Sequence, residues 1–214
     1  MIQSQPLVTI GIPNYNYASY LHECISSVIN QTYKNIEILI SDNASTDNSV
    51  EVIKSFNDPR IRYWVNDENL GVYPNWDLLV KEAKGEYFKI LQSDDYIEPT
   101  YVEECVENLI KFDAGSVFTG CRIIGINKPE IKLDEVNDNE IWIPTKEELS
   151  TKIISLTKFV HPTIGLYKKN IIEDEIVIIF TMSFNYNFYI ALIASLYFNY
   201  LHYFWYINVS HEMV

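Results

Sequence analysis

Two adjacent carboxylates, Asp94 and Asp95, end the stretch KILQSDD, in which a short apolar run leads straight into acid. Side-by-side carboxylates repel each other and lose hydration if the site is enclosed, so the pair requires a compensating charge. Hard divalent cations such as Mg2+ or Mn2+ take oxygen ligands and keep part of their shell for water or phosphate oxygens, which suits this pair. Successive residues of a strand point to opposite faces, so the two acids are not expected to serve one ion equally. Asp95 is assigned to the metal, and Asp94 to a ribose or a structural hydrogen bond. The competing reading is a solvated turn that caps the following helix, with Pro99 at the first helical position.

Two more polar clusters follow apolar runs. In LISDNASTD, the Asn, Ser, Thr and Asp residues favour a turn, and Ser45 or Asp47 would cap the next helix. Asp42 precedes that cap, where a carboxylate can accept hydrogen bonds from a base or ribose. After GIP come Tyr15 and Tyr17, whose rings could stack on a planar base, although a lone tyrosine among 16 is a weak signal. The loop NDENLGVYPNW, which contains Asn69, either borders a ligand or serves only as loop and cap. The four histidines lack HExxH or paired spacing. His161 and His211 are the two that could face a crevice, and His211 is kept as a second metal-ligand candidate.

The elements that would position these groups alternate along the first half. LVTIGI, IEILIS, IRYWV and EYFKIL read as strands buried on both faces. Between them, Leu21, Cys24, Ile25, Val28 and Ile29 form one helical stripe, and Val72, Trp76, Leu79, Val80 and Ala83 another. Beyond Pro99, Val102, Cys105, Val106, Leu109 and Ile110 form a third. Strand and helix in alternation predict a parallel sheet with right-handed crossovers. Ligands of such sheets bind beyond the carboxyl ends of the strands, where all three polar clusters fall.

The 214 residues are 48% hydrophobic and 14% aromatic, enough for one buried domain. A net charge of -13 disfavours nucleic acid and anionic lipid as partners. Cys24, Cys105 and Cys121 have no CxxC spacing and lie in apolar surroundings, which suits reduced thiols and a cytoplasmic setting. The N-terminal residues show no basic segment leading into a long apolar one, so a secretory signal is not expected.

Taken in order, VTIGIPNYNYASYLHECISSVINQTYKNIEILISDNASTDNS, NDENLGVYPNW and the SDD triplet resemble the family-2 glycosyltransferases, over about residues 6 to 120. The resemblance implies an α/β, GT-A-type, Rossmann-like, mostly parallel sheet flanked by helices in a single domain. About residues 1 to 120 would bind the nucleotide sugar, and about 121 to 214 the acceptor. It implies inverting, metal-dependent transfer from a nucleotide-diphosphate donor, often UDP-linked, to a glycan or lipid-linked hydroxyl, with Mn2+ or Mg2+ as cofactor. Pro13 and Tyr15 match the nucleotide-contacting start, Asp42 the base-contacting aspartate, and Ser93, Asp94 and Asp95 the DxD-like triplet. Asn69 joins them in the NENLG-like loop.

The second half departs from the family pattern. Where the resemblance expects a carboxylate base, SFNYNFYIAL places Asn185, which cannot take up the proton. Asp174, in EDE, or His161 is an alternative base; the other two readings are a substrate that needs less help and a chain that binds donor without efficient transfer. From Ile176 to Ser210 there is no Asp, Glu, Lys or Arg. The polar residues that interrupt this segment leave apolar pieces shorter than the roughly 20 residues of a spanning helix. It reads as a buried helix and an aromatic strand, or else as a surface for a membrane face or protein partner. The expected location is the cytoplasm, at most peripheral to the inner face of the membrane.

Overall fold

A computed structural model describes residues 5–119, 121–123, 131–133, 165–170, 204–206 and 212–213. The first half alternates as the spacing predicts: β1 (Val8–Asn14), α1 (Ala18–Ile29), β2 (Ile36–Asp42), α2 (Ser49–Lys54), β3 (Ile61–Val65), α3 (Val72–Glu82), β4 (Tyr87–Ile90) and α4 (Tyr101–Lys111). Short strands follow: β5 (Ser116–Phe118), β6 (Cys121–Ile123), β7 (Ile131–Leu133), β8 (Gly165–Lys168), β9 (Phe204–Tyr206) and β10 (Glu212–Met213).

The main sheet has seven strands in the order β3-β2-β1-β4-β8-β5-β9; the other three strands form a small sheet in the order β10-β6-β7. Strands β1 to β4 are mutually parallel where they pair, and β8 runs antiparallel to both β4 and β5. The chain first steps outward from β1 to β2 to β3, then returns to place β4 on the other side of β1. The order therefore reverses between β1 and β4, the point at which open α/β sheets bind their ligands.

The strand period of two sorts side chains between two cores. Ile36, Ile38 and Ile40 face a cluster with Leu21, Cys24, Ile25 and Val28 of α1 and Val102, Cys105 and Leu109 of α4. Leu39 faces the opposite side, with Trp76, Leu79 and Val80 of α3 and Phe88 of β4. Gly11 lets α3 approach β1, since a Cβ there would lie 3.0 Å from the Phe88 ring and 3.3 Å from Leu79.

Three expectations change. β3 is not buried on both faces: it is the sheet edge, and Tyr63 and Val65 are exposed. Pro99 lies outside α4, which begins at Tyr101 after Thr100; the Pro99 carbonyl instead accepts the Thr32 N–H at 2.8 Å. The first turn of α4 is satisfied from another element, where the buried Gln31 side chain accepts the Val102 N–H at 3.0 Å. Asp47 is not the residue before α2, a place taken by Asn48, yet its carboxylate serves two helix starts. It accepts the Ser49 N–H at 3.0 Å and the Ala18 N–H of α1 at 3.0 Å.

Candidate active site

Hydrogen bonds join the three polar clusters at the reversal of strand order. Asn14 and Asp42 end β1 and β2 in register. Asn14 Nδ2 donates to Asp42 Oδ2 at 2.7 Å, and the Ser45 N–H donates to Asp42 Oδ1 at 2.9 Å, so both oxygens of this fully buried carboxylate are oriented by the protein. On the other side of β1, Ser93 Oγ donates to the Pro13 carbonyl at 3.0 Å. The Asp95 N–H donates to the Gln92 carbonyl at 3.0 Å, turning the chain just after β4. Cys24 of α1 lies beneath, its thiol donating to the same Gln92 carbonyl at 3.4 Å.

Pro13 and Ser93 are buried parts of this framework, whereas Tyr15 and Tyr17 are 43% and 41% exposed. Asn69 is exposed on the loop, with Oδ1 accepting from Asn43 Nδ2 and from the Gly71 N–H, both at 2.8 Å. Asp94 and Asp95 are half-buried. Burial, and then the neighbouring Asp94 charge, push the Asp95 carboxyl up to about 7, while Lys89 pulls the other way. Asp174, Asn185, His161 and His211 lie outside the described residues.

Among the described residues no group of three or more His, Cys, Asp or Glu forms a cage for a metal ion. The acidic pair still fits a Mg2+ or Mn2+ of the kind held by one or two carboxylates and completed by substrate phosphates. A carboxyl driven to about 7 by burial and a like neighbour is relieved by any bound positive charge, so the chemistry of the donor set agrees with such an ion.

Asparagines that sequence reasoning passed over build much of the site. Asn16, at φ 60°, accepts the Thr46 N–H at 2.7 Å. Asn75 Nδ2 donates to the Ser41 carbonyl at 3.1 Å, and Asn66 Nδ2 donates to both Asn75 Oδ1 and Asn43 Oδ1 at 3.0 Å. The available signal was density: short amides crowd the clusters that end β1 and β2 and the loop after β3, in excess of what a turn requires.

An open sheet with its strand order reversed between β1 and β4 and an antiparallel β8 is a mixed α/β architecture of the GT-A type, which solved structures share. The chain belongs to Glycosyl transferase family 2, whose sequence profile matches residues 9–176. It is 42% identical over 112 residues to a hyaluronan synthase of Pasteurella multocida, a match covering 51% of this chain and 11% of that relative. Two solved structures share the fold. TarS of S. aureus in complex with UDP-GlcNAc aligns at TM-score 0.69 and 17% identity, covering 95% of this chain and 58% of that one. The mannosyltransferase PcManGT of Pyrobaculum calidifontis, in complex with GDP-Man and Mn2+, aligns at TM-score 0.57 and 16% identity, covering 80% and 47%.

Proposed function

We propose that the chain is a metal-dependent inverting glycosyltransferase that moves a sugar from a UDP-linked donor to a hydroxyl of a glycan or lipid-linked acceptor in polysaccharide synthesis, at the cytoplasmic side of the cell. The observation that carries this is the buried Asp42 carboxylate and the half-buried Asp94–Asp95 pair on either side of the β1 end. The hyaluronan synthase relative supports the polysaccharide, and the UDP-GlcNAc complex of a fold neighbour supports the donor.

In this reading, the fully enclosed Asp42 carboxylate is uncovered as the base enters. The lone pairs that Asn14 and Ser45 leave then accept an N–H, which uracil presents and a bare ring nitrogen does not. Tyr15 supplies a face for the base, and Asn69 and Asp94 border the ribose and phosphates. Asp95 would hold Mn2+ or Mg2+, which when bound supplies positive charge to the departing diphosphate. The acceptor oxygen forms its bond to the anomeric carbon as the carbon–oxygen bond to the diphosphate breaks, and the hydroxyl proton passes to a base. Asp174 or His161 is assigned that part, since Asn185 cannot perform it.

The test is UDP release from a panel of UDP-sugars in Mn2+, with oligosaccharide acceptors. Turnover that falls at least about a hundredfold in Asp95→Ala is expected. Tight UDP binding without turnover on any donor or acceptor would instead favour a sugar-nucleotide-binding protein.

A further inference from the structure

The loop that follows β3, residues 66–71, has no regular structure, yet one side chain from the end of β2 engages it at four points. Asn43 is 3% exposed. Its Oδ1 accepts from Asn66 Nδ2 and from the Leu70 N–H, both at 3.0 Å. Its Nδ2 donates to Asn69 Oδ1 at 2.8 Å and to the Gly71 carbonyl at 3.2 Å. Two acceptances and two donations use the hydrogen-bonding capacity of a primary amide in full. The backbone N–H of Leu70 and the carbonyl of Gly71 fix which end of the amide is which, so a flip would oppose like groups at both ends.

The attachment goes beyond Asn43. The Asn66 N–H donates to the Asp42 carbonyl at 2.8 Å, and the Asn43 N–H donates to the Asn14 carbonyl at 2.8 Å. Asn43 therefore ties the loop to the same two strand ends that carry Asn14 and Asp42. Gly71 closes the loop at φ 85° and ψ 173°, a backbone region essentially restricted to glycine. A hydrophobic contact would hold the loop near one position with many orientations; four directional bonds to one buried amide select a single one.

We propose that Asn43 is a positioning residue that seats loop 66–71 as the fixed rim of the donor crevice, setting affinity for a nucleoside diphosphate without touching it. This rests on the donor reading given above. A rim held in place before binding spares the ligand the cost of ordering it, so loosening it weakens binding while leaving the reacting groups intact.

Two variants reach the same loop from opposite ends. Asn43→Asp keeps the shape but turns two donations into oxygen facing oxygen. Gly71→Ala adds a Cβ with no atom within 4 Å, so it disturbs only the backbone conformation. Calorimetric titration with UDP in saturating Mn2+, well below the melting temperature, returns Kd and the binding-competent fraction separately. Both variants are expected to raise Kd by about tenfold with the competent fraction near one. Unchanged Kd with a reduced competent fraction would show a merely structural role and overturn the inference. So would a raised Kd in Asn43→Asp with wild-type Kd in Gly71→Ala, because the effect would then not pass through the loop. A wild-type chain that binds no UDP overturns the donor reading and this inference together; wild-type binding matched by both variants overturns the inference alone.

Discussion

Asp95 holds its proton to about pH 7 because burial and the Asp94 charge both oppose ionisation. Its ordinary value is 3.8, so between about 4 and 7 the folded chain keeps a proton that the unfolded chain has lost. Unfolding then releases a proton, and stability falls as pH rises through that window and levels off above it. Asp95→Asn is expected to melt above the wild type at pH 8 and with it at pH 4, by calorimetry at both values. An ion binding there must displace the same proton, so Mn2+ affinity should climb from pH 5.5 to 8 in the wild type. Ala44 offers a second test at this scale. It sits at φ 62°, where a Cβ costs roughly 1–2 kcal/mol. Ala44→Gly should stabilise the chain by about 1 kcal/mol, a rise in Tm of roughly 2–4 °C. Neither the raised carboxyl nor the strained alanine is visible in the letters SDD or DNAST. Each depends on what the fold packs around it.

At the level of elements, apolar periodicity predicts β1 to β4 and the α1, α3 and α4 stripes because burial sets those patterns. It misjudges β3, whose residues IRYWV carry the β-branched and aromatic character of a central strand while sitting at the edge. Residue type reports a fit to a pleated surface, and the number of neighbouring strands is set by the whole sheet. The start of α4 shows the same limit. Pro99 suits a first helical turn by its own chemistry, but the Thr32 N–H and Gln31 amide recruit this segment from 67 or more residues away. Close approach between β1 and the segment before β4 gives a prediction here. A Cβ on Gly85 would lie 2.6 Å from the Thr9 backbone nitrogen. Backbone cannot yield as a side chain can, so Gly85→Ala should cost about 3 kcal/mol, measured by urea unfolding with m unchanged.

For the whole molecule, 29 acidic against 16 basic residues produce a field that repels a nucleoside diphosphate. Binding of UDP is expected to weaken at least about tenfold when a chelator removes divalent cations, and Asp95→Ala should abolish that dependence. Titration of UDP with and without chelator checks both. No helix among the described residues is long and apolar enough to cross a membrane.

The sequence by itself determined the strands and helices of the first half and that three polar clusters end strands, since local periodicity and turn chemistry encode both. The resemblance in its motifs placed the family. The tertiary structure alone decided that strand order reverses between β1 and β4, that Asn14 orients Asp42, and that Asn43 grips loop 66–71. The side-chain pairings of Asn14 and Asn43 join residues 23 to 28 positions apart, where no local pattern reaches and only the register of parallel strands brings the partners within hydrogen-bond distance.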